Sequence, residues 1–274
     1  MAIFLDARSA VRICSRREKL RSIFKSHGVS LSVSEHGEGK PFVFQHGLCG
    51  DADQLIQVFP EDTGYRCLMV ECRGHGQSEA DPLHDLSIPM FADDVAGYIQ
   101  HLSRPVIGGI SMGAAISLQM AIRWPHIIRA LIVARPAWLT NEAPKSAYPN
   151  LFVGQLLSQS DPQDALSRFE ASAVARGLAE QSPDNLSAAR GFFTRLPIPV
   201  TSVLLTAITM SGPGVTEDEI RTISVPTRSK LSATGARSEL WHSFCVINAS
   251  GQPCPPKQAC EEPKWFVETR AGQQ

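Results

Sequence analysis

The chain has 274 residues, 43% hydrophobic and 19% charged, which is enough apolar content for a sizeable core and too much for a disordered segment. Its 26 basic residues nearly balance 27 acidic ones, for a net charge of -1, so no nucleic-acid partner and no anionic membrane is indicated. Seven cysteines at irregular spacing, without a paired C-x-x-C, argue against a zinc site and for reduced thiols in a cytoplasmic protein.

Residues 1–22 are basic, with Arg8, Arg12, Arg16, Arg17, Lys19 and Arg21, and read as an extension of unassigned role. They lack the apolar run of a secretory signal, and no stretch of the chain approaches the roughly 20 apolar residues that cross a bilayer. From Val29 to Val33 apolar residues alternate with serine, as in a half-buried strand. Pro41 to Gln45 predicts a short strand, followed by the loop His46-Gly47-Leu48-Cys49-Gly50. Tyr65 to Glu71 predicts the next, running into Arg73-Gly74-His75-Gly76-Gln77-Ser78. Phe91 to Leu102 predicts a helix, with Phe91, Val95, Ile99 and Leu102 on one face. Pro105 to Ile110 is a continuous apolar strand, Ala114 to Arg123 a helix stopped at Pro125, and Ala130 to Ala134 a further strand.

Strands alternating with helices imply a mostly parallel, doubly wound α/β sheet covered on both faces, with function at the carboxyl ends of the strands. Residues 140–222 break the alternation. Asp161-Pro162 opens a helical stretch to about Glu180, Asp184 to Thr194 predicts another, and no strand pattern intervenes. This segment is expected to be a helical cap inserted into the core, which would comprise residues 23–139 and 223–274. Phe152, Leu156, Phe192, Phe193 and Met210 within it are candidates for an apolar pocket, with core packing the more ordinary role.

Three motifs carry chemistry. Gly109-Ile110-Ser111-Met112-Gly113 joins an apolar strand to a helix, where an exposed nucleophile needs a sharp turn with little side chain two positions either side. His46-Gly47-Leu48 follows an earlier strand. The amides of Leu48 and Met112 are candidates to hold the oxyanion of a tetrahedral intermediate, with His46 bracing the loop rather than acting in catalysis. Glu71 to Ser78 is rich in glycine and reads as loop architecture.

Together these motifs resemble the α/β-hydrolase superfamily, in its serine esterase, lipase and lactonase-like branch, from about Val29 to Trp138. The resemblance implies an α/β-hydrolase fold, a serine nucleophile at Ser111, a small ester-like substrate and no metal or organic cofactor. It departs at Glu71, where the family carries Asp. The triad order Ser, acid, His requires a histidine after Ser111. His126 lies at the far end of the following helix, leaving His242 as the base. Glu239 is the nearest acid, with Glu142 a second possibility. After Val225-Pro226-Thr227 the family's apolar strand gives way to Arg228-Ser229-Lys230-Leu231-Ser232, and the closing Gly-His signature is absent. Two readings follow. One is a hydrolase whose divergent tail still supplies His242. The other is a non-catalytic ligand-binding or interaction protein that keeps the elbow but has lost the triad.

Overall fold

The computed structural model describes residues 20–53, 59, 64–137, 140 and 145–230. Among them seven strands form one sheet in the order β1-β2-β4-β3-β5-β6-β7. The strands are β1 (Leu20–Ser26), β2 (Val29–His36), β3 (Lys40–Gln45), β4 (Tyr65–Val70), β5 (Val106–Ile110), β6 (Ala130–Ala134) and β7 (Thr227–Lys230). From β4 onward to β7 across the sheet every pairing is parallel, while β2 runs antiparallel to β4 and to β1.

Two strands differ from the sequence reading. The first is β1, three residues of which fall in the segment read as an extension, so the core begins no later than Leu20. It forms a hairpin with β2 through His27 and Gly28, both at positive φ (47° and 82°), as a two-residue turn of matching twist requires. Leu20 and Ile23 stay exposed, because an edge strand can satisfy its backbone without burying an apolar face. The second is β7. Although polar, Thr227–Lys230 pairs with β6 from Leu131↔Thr227 to Ala134↔Lys230. Backbone bonds such as Leu131 N–H to Pro226 O (2.8 Å) place it where an apolar run was expected.

Strand alternation divides the core into two layers. On β4, Leu68 and Val70 join Val43, Ile107 and the helix residues Phe91, Val95, Ile99 and Ile116. Cys67 and Met69 point the other way, with Phe42 and Val106. The helices on the first face are α1 (Ile88–Ile99) and α2 (Met112–Arg123). Ser87 caps α1 by accepting from Met90 N–H, which starts the helix at the buried Ile88, three residues before the expected Phe91, and the helix ends at Ile99, three short of Leu102.

Between β6 and β7 the described residues are helical: α3 (Tyr148–Gln159), α4 (Pro162–Glu170), α5 (Ala173–Gln181), α6 (Pro183–Gly191), α7 (Ile198–Val203), α8 (Thr209–Ser211) and α9 (Glu217–Arg221). The stretch read as one helix to Glu180 is broken by Ser172, whose side chain caps α5. A π-helical turn, Leu204–Ile208, links α7 to α8. These helices have an apolar core of their own, built on Val153, Leu156, Phe169, Phe193 and Leu205. Leu156 and Phe193 are buried there and Phe152 and Phe192 pack against it, while Met210 is exposed. Core packing therefore accounts for four of the five pocket candidates.

Candidate active site

The chain turns from β5 into α2 at Ser111, whose backbone has φ 56° and ψ -112°. A side chain is strained in this region, by about 1–3 kcal/mol, and the surroundings must hold it there. They do so through close backbone contact. A Cβ on Gly109 would lie 2.1 Å from Gly113 O, and one on Gly113 would lie 2.1 Å from Gln45 O. Only glycine fits at either place. Ser111 N–H donates to Ala134 O at the end of β6 (3.1 Å). The serine hydroxyl does not cap α2, so the helix makes no claim on it.

Gly47 faces Ser111, with its Cβ position 3.6 Å from Ser111 Cβ. It opens a tight turn, Gly47 to Gly50, closed by Gly50 N–H on Gly47 O (2.9 Å), with Cys49 at φ 59°. Such a closure does not use the N–H of the second residue, Leu48. Met112 is the first residue of α2, where an N–H has no intrahelical acceptor. Neither the turn nor the helix uses these two N–H groups.

His46 is fully buried, and both ring nitrogens are occupied. Nδ1–H donates to Gly47 O (2.8 Å) and Nε2 accepts from Cys72 N–H (3.1 Å). Burial lowers its pKa, outweighing the Gly47 carbonyl and the charges of Glu71 and Asp51. It is a neutral brace between two loops. The His75 ring lies beside it, tilted, at 4.7 Å between centroids, buried and held neutral by desolvation, with Nδ1–H on Arg73 O (2.9 Å). Burial pushes the Cys49 thiol up to about 11, which keeps it protonated at neutral pH.

The loop after β4 is architecture. Burial alone would raise the Glu71 carboxyl, but the N–H groups of Gln77 (2.9 Å) and Ala52 (3.0 Å), together with Ser32 and the charge of Arg21, outweigh it and hold the pKa below the usual range. Gly76 leaves room for that carboxylate, since a Cβ there would come within 2.2 Å of it. Glutamate in the family's aspartate position therefore serves as an acceptor for two loops. Arg73 is buried and pairs with Asp94 of α1 through two bonds of 2.7 and 2.9 Å. Asp94 could have been noticed in the sequence, since it lies three residues from Phe91 on the apolar stripe.

The structure sets Gly47, the residue before Leu48, against Ser111, and Met112 follows Ser111 directly in the chain. His126 is exposed beyond the end of α2, in the short helix Pro125–Ile127. His242, Glu239 and Glu142 lie outside the described residues. Among the described residues no group of His, Cys, Asp and Glu could hold a metal ion, and no helix is long and apolar enough to cross a membrane. One residue without any sequence signal also reaches the site loops. Arg195, between α6 and α7, donates to the carbonyls of Cys49 (3.2 Å) and Gly74 (2.8 Å), which lie on the loops at the carboxyl ends of β3 and β4.

Residues 40–244 match the family described as alpha/beta hydrolase fold, and the chain belongs to it. Protein PHYLLO, chloroplastic, of Arabidopsis thaliana is 32% identical over 119 residues, 39% of this chain and 7% of that protein. A 2-(acetamidomethylene)succinate hydrolase of Mesorhizobium japonicum is 30% identical over 108 residues, 38% of each chain. The chain thus spans well under half the length of these two. A pimeloyl-[acyl-carrier protein] methyl ester esterase of Aeromonas salmonicida is 24% identical over 264 residues, 87% of this chain and 100% of that one. Among solved structures, a hydrolase from Pseudomonas aeruginosa has a TM-score of 0.61 at 18% identity, covering 84% of this chain and 87% of that one. The enol-lactonase of Burkholderia xenovorans has a TM-score of 0.58 at 19% identity, covering 82% and 86%. These two share the fold.

Proposed function

We propose that this protein is a serine hydrolase that cleaves a small carboxylic ester, thioester or lactone through an acyl-enzyme on Ser111. The observation that carries the reading is the strained backbone of Ser111 (φ 56°), fenced by glycines that nothing larger could replace. A fold keeps such strain where the side chain has work to do. In this reading Ser111 Oγ attacks the substrate carbonyl, and the Leu48 and Met112 amides hold the resulting oxyanion. His242 takes the serine proton and returns it to the departing alcohol, thiol or ring oxygen, with Glu239 orienting the imidazole. Water then adds to the acyl-enzyme by the same route and releases the acid. The helices of residues 140–222 act as a cap that selects the acyl or alcohol group. The esterase and hydrolase names of the relatives, and the lactonase name of a structural neighbour, agree with this class of substrate.

Turnover of p-nitrophenyl acetate and butyrate by the full chain tests the reading. Ser111→Ala is expected to lower kcat roughly 10⁴-fold or more, and His242→Ala comparably, because triad members act as a unit. Glu239→Ala is expected to cost less. Turnover that persists in Ser111→Ala would refute the mechanism, and activity untouched by His242→Ala would remove that residue from it.

A further inference from the structure

The two loops at the site are tied together twice. Beneath the nucleophile, His46 joins Gly47 O to Cys72 N–H. Two residues further along each loop, Arg195 joins Cys49 O to Gly74 O through Nε and Nη2. The first tie belongs to the sheet core and the second to the helical segment. Both carbonyls gripped by Arg195 belong to residues at positive φ, Cys49 at 59° and Gly74 at 72°. For Cys49, which has a Cβ, that conformation is strained, and a bond to its carbonyl helps hold it. Cys49 is the third residue of the turn whose second residue is Leu48.

The guanidinium is itself held. Its Nη1 donates to Thr201 Oγ1 (2.9 Å), and the same hydroxyl donates back to Arg195 O (2.8 Å). Val200 and Leu204 close against Gly74, where a Cβ would sit 3.0 Å from Val200 Cγ1. Leu48 and Cys49 pack against both the sheet core and the core of the helical segment. No carboxylate pairs with Arg195 among the described residues, so its fixed fork of donors is spent on backbone and a hydroxyl.

From the shared grip on Cys49 and Gly74 we infer that Arg195 is a positioning residue, which fixes the turn carrying the Leu48 amide and makes oxyanion stabilisation depend on how the helical segment is seated. This rests on the serine-hydrolase reading for its catalytic half only; the clamp itself is a statement about the loops. Removing an oxyanion donor costs about 10²–10³ in kcat. Loosening one, rather than deleting it, should cost about tenfold to a hundredfold, since misplacement by about 1 Å has effects of that order.

Arg195→Met keeps the aliphatic stem and removes the fork, and Arg195→Lys keeps the charge but cannot reach both carbonyls. Hydrogen exchange by mass spectrometry on the full chain should show faster exchange in peptides spanning residues 46–52 and 72–78 in both variants, with peptides from β5 and α2 unchanged. Under the same conditions, kcat for p-nitrophenyl butyrate should fall about tenfold to a hundredfold while KM changes less than threefold. Unchanged loop exchange in either variant would overturn the clamp. Faster exchange with unaltered kcat, in an enzyme that does turn over ester, would overturn the link to the oxyanion. Full recovery by Arg195→Lys would also overturn it, since charge alone would then suffice. If the wild-type chain turns over no ester, the hydrolase reading fails and the exchange data still decide the clamp.

Discussion

The loops around Ser111 and the helices between β6 and β7 are built on different terms. In the loops, backbone meets backbone at distances that exclude a methyl group, Ser111 and Cys49 sit at positive φ, and the buried Arg73 and Glu71 are tied to Asp94 of α1 and to the amides of Gln77 and Ala52. In the helical segment ordinary capping does the work. Asp161, Ser172 and Thr216 accept from the first-turn amides, leucine and phenylalanine side chains fill a core of their own, and the ion pair of Arg190 with Glu170 lies at the surface. One region spends stability to fix geometry, while the other needs only to be helical and well attached. Tolerance to substitution should therefore differ sharply between them.

The largest effect is expected at Gly113→Ala. The added methyl would run into the Gln45 carbonyl, so unfolding in urea should show a loss of about 4 kcal/mol or more, or no folded protein at all. Asp94→Ala strands the Arg73 guanidinium in the core and should cost about 3 kcal/mol, read the same way. A value under about 1 kcal/mol would mean that this pair does not lock the loop to α1.

Acid should act next. His46 and His75 are kept neutral by burial, with folded pKa values below that of an exposed imidazole. The unfolded chain binds protons first, so their contribution is complete above about pH 6.5 and is lost as pH falls through the folded values. Each can contribute a slope of up to about 1.4 kcal/mol per pH unit in that window. His75→Asn should remove one such share between pH 6.5 and 5, and an unchanged slope would contradict its buried neutral state. The smallest effect has the opposite sign. Gly177 lies inside α5 with nothing within 4 Å of its Cβ position, so Gly177→Ala should gain about 0.5–1 kcal/mol.

The same contrast decides what the sequence disclosed. The elbow was legible because its two glycines are dictated by local sterics and stand beside the serine they serve. The strand β4 and the helices α1 and α2 were legible from apolar periodicity. The edge strand β1 was not, since it buries little, and β7 was not, since its pairing with β6 uses backbone rather than an apolar pattern. Glu71 looked like a departure from the family and turned out to be a satisfied acceptor between two loops. Arg195 left no local trace at all, because the carbonyls it grips are 146 and 121 residues away along the chain. Such contacts are made by the packing of elements, and no spacing within one segment announces them.

An activated nucleophile at Ser111 should react with a fluorophosphonate probe, applied to the full chain at neutral pH and mapped by mass spectrometry. One covalent adduct is expected, on the peptide that contains Ser111, formed within minutes and absent from Ser111→Ala. Folded wild-type protein that forms no adduct, or that carries it on another residue, would rule out a nucleophilic Ser111.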